Sequence, residues 1–430
     1  MSLILRPDIR LILRPDIRLR KEKYGVLALS ISPANPMPLY TLKPLTAMTL
    51  ALFDGSRNIK QVITIISKVF GVSTQDATQF VQIVCNSYGS LLTEYEEKAE
   101  QKGLYKRYDP RTFLYKTEEV TLKRPYAPLT LAYIVTRRCL RQCLYCYADA
   151  VYHKKVNYQE DLIPLARLRK LLQEAKTLEI AAINFSGGEP FLRSDIIDIL
   201  GYTIENGIFP WISTKAHLDE STVRQLREIG LTMIQVSIDS VNPRIADLLT
   251  ASKGFFKGIV RTIELLINYG IDVQTNSVIT SYNVNDIPQL VEFLISLGVK
   301  EIFLTPYTRS LGRHREKLFA SPEELRRLQD RLKAFNNSTV RIHYGAGDLL
   351  TNLENSRAEL FANRLICTGG RLGFVILWDG RVTICERLAT CPEAIIGDLN
   401  QHTILDLWHS PQMLALSYPC RDKYKGTICY

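Results

Sequence analysis

The stretch 129-LTLAYIVTRRCLRQCLYC-146 passes from an apolar strand pattern directly into Cys139, Cys143 and Cys146. The spacing is C-x3-C-x2-C. Soft thiolates select zinc or iron–sulfur clusters. A zinc loop prefers C-x2-C pairs completed by a second pair or by histidines at set distances. No histidine falls inside the triplet, and His153 is the nearest. Three thiolates suit a four-iron cluster with one iron left open.

Downstream of this stretch, strand and helix signals alternate. Strand patterns recur at 181-AAINFS-186, 209-FPWIST-214, 232-TMIQVSID-239, 271-IDVQTNSVI-279 and 300-KEIFLT-305. Amphipathic helices lie between them. One runs over 165–178 with Leu165, Leu168, Leu171, Leu172, Ala175 and Leu178 on one face. Others end at Gly230, Gly270 and Gly298, and a further helix opens on the capping box formed by Ser321, Pro322 and Glu324. Six β-α repeats predict a parallel sheet covered by helices and closed wholly or partly into a barrel, with the active site at the C-terminal strand ends.

With its cysteines after the first such strand, this segment resembles the radical S-adenosylmethionine (SAM) superfamily over about residues 128–340. The resemblance implies a [4Fe-4S] cluster on Cys139, Cys143 and Cys146. SAM would chelate the open iron, and one-electron reduction would release a 5′-deoxyadenosyl radical that abstracts hydrogen. Tyr145 takes the aromatic position near the adenine. The 187-GGEP-190 turn resembles the motif that binds the methionine amino group, through Gly187, Gly188 and Glu189. Two glycines allow a tight turn and close backbone approach. Ser213 and Thr214 match the polar pair after the third strand, although Lys215 stands where Asn is common. Ser237 and Asp239, two residues apart and so expected on one face, resemble the groups that hold the SAM carboxylate and ribose, and Asn276 joins them.

The C-terminal segment is cysteine-rich. Cys367 and Cys385 frame a C-x12-G-x4-C pattern around the hairpin signal 378-WDGR-381. This, with 396-IGDLNQHTILDLWHS-410, resembles SPASM/twitch domains, which hold auxiliary [4Fe-4S] clusters. Cys367, Cys385 and Cys420 are the main auxiliary candidates, followed by Cys391 and Cys429. A complete SPASM domain continues as C-x2-C-x5-C-x3-C, whereas here the sequence stops just past Cys429. The expectation is a shortened sequence or a single auxiliary cluster.

Toward the N-terminus, strand patterns at 16–23, 25–31 and 39–42 precede helical ones. The first helix, 46–55, is expected to end on Gly55. The second runs over 58–71 with Asn58 as N-cap, and the third starts at Ser73. Cys85, on the third, is expected to be a core thiol. This winged-helix-like order and 50-LALFDGSRNIKQV-62 resemble the leader-peptide recognition domain of enzymes that modify ribosomally made peptides. The third helix carries no Arg or Lys between Ser73 and Tyr88, which argues against DNA reading. Residues 3–10 and 11–18 are the same octapeptide, LILRPDIR. Two copies are too few and too short for a solenoid, and no chemistry is assigned to them.

At 430 residues, the chain needs more than one core. Its 46% hydrophobic and 23% charged content is that of a soluble globular protein. The longest apolar runs fall short of a membrane span, no signal peptide is visible, and nine cysteines in a cytoplasmic chain favour metal ligands or reactive thiols over disulfides. The net charge of +10 suits an acidic partner or simply a basic surface.

The fold class expected is therefore α/β. A winged-helix-like α+β domain (11–98) and a linker (99–126) would precede a partial (β/α)6 TIM-type barrel (127–345) and a small auxiliary-cluster domain (346–430). The expected function is a radical SAM oxidoreductase installing a C–C, C–S or C–O cross-link in a precursor peptide. Its leader would bind the N-terminal domain and a flavodoxin- or ferredoxin-type donor would supply electrons, with neither membrane nor nucleic acid as partner. The alternatives are maturation of a sulfatase-type protein or of a small-molecule cofactor, and an iron–sulfur DNA-binding regulator.

Overall fold

The computed structural model describes residues 7–31, 40–95, 106–116, 124–148, 150–154, 160–308, 313, 315–335, 340–344 and 369–417. Two compact units divide the chain, Met1–Tyr126 and Ala127–Tyr430.

The first unit holds two small sheets. Strands β1 (Arg10–Leu13), β2 (Ile17–Glu22), β3 (Gly25–Ser30) and β4 (Tyr40–Leu42) precede helix α1 (Pro44–Leu52). Strand β5 (Asp54–Asn58), helices α2 (Ile59–Phe70) and α3 (Thr74–Tyr88), and strand β6 (Leu92–Glu94) follow. One sheet has the order β5-β1-β6 and the other β2-β3-β4. The Asn58 capping box and the left-handed Gly71 bound α2, and Ser73 caps α3. Leu11, Leu13 and Ile17 of the second octapeptide copy lie in this unit's core.

Two expectations are corrected here. Helix α1 ends at Leu52, not at Gly55, which adopts φ +78° inside β5. The polar run DGSRN hides this strand because it carries no apolar alternation. The 99–126 segment is not merely a linker: Phe113 is buried in the first unit's core, and the Tyr115 hydroxyl donates to the Gly25 carbonyl at 2.5 Å. Cys85 is 1% exposed, as the sequence predicts, and burial pushes its thiol up to about 11.

In the second unit, the six predicted strands are β7 (Thr130–Thr136), β10 (Ala182–Gly187), β11 (Phe209–Thr214), β12 (Met233–Ser237), β13 (Asp272–Ile279) and β14 (Glu301–Pro306). Between β7 and β10 lie the two-residue strands β8 (Arg138–Cys139) and β9 (Val151–Tyr152). The six lie side by side in chain order, each parallel to the next. Two further parallel strands extend the sheet: β15 (Arg341–Tyr344) beside β14, and β16 (Gly373–Ile376) beside β7. Strands β17 (Arg381–Thr383) and β18 (Gly397–Asp398) continue it antiparallel past β16. The described C-terminal residues thus extend the barrel sheet instead of forming a separate compact unit.

Ile183, Phe185, Ile212, Ile234 and Val236 face the helices and pack into one core with Leu168, Leu171 and Leu172. Alternate residues, among them Ser186, Ser213 and Ser237, belong to the opposite face of the sheet. Gly230, Gly270 and Gly298 all adopt positive φ beyond their helices, and Ser321 and Glu324 form the predicted capping box. Among the described residues no helix is long and apolar enough to cross a membrane.

Candidate active site

The cysteine loop is held by its backbone before any ligand is considered. Strand β8 pairs with β9, and the His153 amide donates to the Cys139 carbonyl at 2.9 Å. The Leu144 amide donates to the Leu249 carbonyl at 2.9 Å. Glu160 accepts from the Thr136 hydroxyl and, at 2.6 Å, from the Arg137 amide. The Gly188 amide donates to the Thr136 carbonyl at 2.7 Å, and that of Glu189 to the Arg138 carbonyl at 2.8 Å. The Gly-Gly turn therefore lies directly on the cysteine loop. A Cβ on Gly188 would sit 2.0 Å from the Arg138 carbonyl oxygen, and Gly187 has φ +123°.

Glu189 is 1% exposed. Its carboxylate accepts from the Thr214 hydroxyl at 2.8 Å, the Lys215 amide at 2.9 Å and the Phe191 amide at 3.2 Å. Desolvation nevertheless raises its pKa. An ionised carboxylate offers about four acceptor positions, so these three donors leave room for about one more.

Asp239 lies past the end of β12 and is fully buried, whereas Ser237 is half-buried. Val236 and Ile238 pack into the helix-covered core, and neither Ser237 nor Asp239 belongs to it. One Asp239 oxygen accepts from the Val278 amide at 2.8 Å. The other meets the Lys215 ammonium at 3.4 Å and the Tyr145 hydroxyl. Burial and the Asp239 charge raise the Tyr145 pKa well above its ordinary value, so the phenol stays protonated and donates. The Lys215 ammonium also lies 5.5 Å from the Tyr145 ring centroid, a cation–π distance. Lys215, a departure from the family pattern, joins the Glu189 and Asp239 clusters. Asn276 on β13 accepts from the Thr305 hydroxyl at 3.0 Å, and Ser237 lies opposite it in the sheet register.

The three thiols of the loop are free. Burial is the main force on two of them, pushing Cys139 up to about 12 and Cys143 up to about 11. Each also feels the charge of its neighbours, and Lys215 opposes the rise at Cys143. Buried thiolates need a cation to exist at neutral pH, which fits a cluster as their ligand. Among the described residues no three His, Cys, Asp or Glu side chains converge on a single metal ion. Three thiolates on three different irons need no such convergence.

Cys385 and Cys391 bracket a turn after β17 and are half-buried. The hairpin predicted at 378–381 is present between β16 and β17, with Gly380 at φ +97°. The Cys391 thiol donates to Glu393 at 3.1 Å. Cys367, Cys420 and Cys429 lie outside the described residues. Sequence reasoning missed Glu386, which accepts from the Tyr147 and Ser186 hydroxyls at 2.5 and 2.7 Å. Only its position next to Cys385 hinted at a role. It also missed Glu160, which carries no motif signal.

This fold and this loop match known families. The Radical SAM superfamily matches residues 133–294, and the SPASM iron–sulfur cluster-binding domain matches residues 367–430. The chain is a radical SAM enzyme with a SPASM domain. Its cofactors are a [4Fe-4S] cluster with SAM and, in the SPASM domain, auxiliary iron–sulfur clusters. A PqqA peptide cyclase from Ruegeria pomeroyi is 25% identical over 66% of this chain and 74% of its own length. An Fe-coproporphyrin III synthase from Methanosarcina barkeri is 32% identical over 37% of this chain and 39% of its own. The crystal structure of Streptococcus suis SuiB bound to precursor peptide SuiA superposes with a TM-score of 0.65 at 17% identity, covering 95% of this chain and 91% of that one.

Proposed function

We propose that this enzyme cross-links a ribosomally made precursor peptide by removing hydrogen from an unactivated carbon. The observation that carries the site assignment is the contact of the Gly187-Gly188 turn with the cysteine loop, with buried Glu189 beneath it. In this reading Cys139, Cys143 and Cys146 hold the cluster that binds SAM. When bound, cluster and SAM supply the one-electron chemistry that activates a C–H bond.

The remaining acceptor position of Glu189 takes the SAM ammonium group. Ser213, Ser237 and Asn276, half-buried on the strands, contact SAM directly. Thr214 acts through Glu189, and Asp239 through Tyr145, which it fixes beside the adenine. The auxiliary thiolates are drawn from Cys367, Cys385, Cys391, Cys420 and Cys429.

Several observations support a peptide as substrate. The relatives include PqqA peptide cyclases, and the fold matches that of SuiB with its precursor bound. The first unit presents β4 as an outer strand of a three-stranded sheet, a geometry that accepts an added strand. A flavodoxin- or ferredoxin-type donor would supply the electron, and the free thiols suit the reducing cytoplasm.

The test is single turnover of the reconstituted enzyme with dithionite, SAM and each short peptide encoded by a neighbouring reading frame. The expected products are 5′-deoxyadenosine and a peptide two mass units lighter per cross-link. Deoxyadenosine without any change in the peptide would remove the peptide reading. No deoxyadenosine at all would remove the site assignment.

A further inference from the structure

The single turn Glu386–Leu388 follows Cys385 directly. Two adjacent side chains leave it in different directions. Glu386 accepts from the Ser186 hydroxyl on β10 at 2.7 Å and from the Tyr147 hydroxyl at 2.5 Å. Tyr147 is the residue after Cys146, and Ser186 is the residue before the Gly-Gly turn. The Arg387 guanidinium donates to the Thr308 hydroxyl, two residues past β14, at 2.6 Å. It also lies 6.0 Å from the Tyr147 ring centroid.

In the sheet order, β10 and β14 are separated by β11, β12 and β13. A flat sheet would put them roughly 19 Å apart. Two neighbouring side chains reach both, so the turn spans the mouth of the curved sheet and meets the cysteine loop in the middle.

We propose that Glu386 and Arg387 are positioning residues that latch the cysteine loop to the C-terminal cluster region, so that the placement of Cys146 depends on the turn carrying Cys385. This rests on the cluster assignment above and not on the identity of the substrate. Tyr147 is a 40% exposed aromatic residue, and exposed loop side chains are held in one place only by specific partners. A carboxylate acceptor gives stronger hydrogen bonds than a neutral one, and here one carboxylate joins the loop to the strand that ends in the Gly-Gly turn.

The experiment compares Tyr147→Phe, Glu386→Ala, the double variant and Glu386→Gln in the reconstituted holoenzyme. Hydrogen–deuterium exchange across residues 137–148 and the EPR spectrum of the reduced cluster, before and after SAM, are read together. Tyr147→Phe and Glu386→Ala should each speed exchange in the loop by about tenfold, the effect of losing one hydrogen bond. Each should also alter the spectral change that SAM induces. The double variant should be no worse than Glu386→Ala, because both remove the same bond, and Glu386→Gln should restore part of the effect.

Wild-type exchange and wild-type spectra in Tyr147→Phe would overturn the latch. Additive effects of Tyr147→Phe and Glu386→Ala would overturn it equally. If Glu386→Ala fails to load iron, Tyr147→Phe decides alone, since it removes one partly exposed oxygen. Neither readout needs a peptide, so failure of the latch and failure of the peptide reading are separable.

Discussion

The cysteine loop Arg137–Ala148 and the hairpin segment Gly373–Leu399 both carry thiols proposed as cluster ligands, yet they are built differently. In the first, β7, β9, Glu160, Glu189, Asp239 and the 249–252 segment hold the backbone and side chains. Two of its thiols are driven toward the neutral form by burial. In the second, Cys385 and Cys391 are half-buried on short turns, and the Cys391 thiol donates to Glu393, only two residues away. A site that must leave one metal position free for SAM needs its three ligands fixed by the protein. A cluster ligated by residues spread along the chain is organised by the metal itself.

The sharpest way to break this contrast is to remove one thiol from each region. Cys143→Ala should lower 5′-deoxyadenosine formation by at least about a hundredfold. Cys391→Ala should leave SAM cleavage within a few-fold while weakening peptide cross-linking. Equal losses of cleavage in both variants would show that the two regions do not differ in this way.

Gly188→Ala tests whether rigidity in the first region is real. The new Cβ would overlap the Arg138 carbonyl, which is backbone and cannot swing aside. The expected result is loss of the SAM-responsive EPR signal with the auxiliary signal retained. Normal SAM-dependent spectra would show that the cradle is loose.

A smaller effect is expected for Tyr145→Phe and Asp239→Asn. Each disturbs a fully buried charge-assisted bond, for which about 1–3 kcal/mol is typical. Thermal denaturation should show both variants less stable, with the double variant well short of the sum.

The pH dependence separates the regions further. Cluster assembly on Cys139 and Cys143 must displace protons from thiols raised to about 12 and 11. Iron loading at the first site should therefore strengthen steadily from pH 6 to pH 9, as followed by absorbance titration. Cys85, with no metal role, is the reference. Its folded pKa of about 11 lies above the ordinary 9.0. Its contribution to stability is thus complete below pH 9 and lost as pH rises toward 11. Cys85→Ala should flatten that alkaline loss in the first unit.

Much of the barrel was legible in the chain. The six strands fall within a residue or two of their predicted bounds because each carries a local alternation or apolar run. The helix ends at Gly230, Gly270 and Gly298 were equally legible, since a positive φ at a helix end favours glycine. Strand β5 was not, because its five residues are polar and are held by pairing with β1, which sets Asn58 against Arg10 and Asp54 against Ile12. Strands β15 and β16 were missed for a related reason. Each is short, and each is a strand only because an edge of the sheet was waiting for it.

The spacing of Cys139, Cys143 and Cys146, the Gly-Gly-Glu turn and their places at strand ends were determined by the sequence alone. These are local properties, set by residue type and period within a dozen positions. The tertiary structure decided which acids the loop rests on. Tyr145 reaches Asp239 across 94 positions and Tyr147 reaches Glu386 across 239. No local pattern encodes such pairs, because they exist only once the sheet has curved and brought its strand ends together.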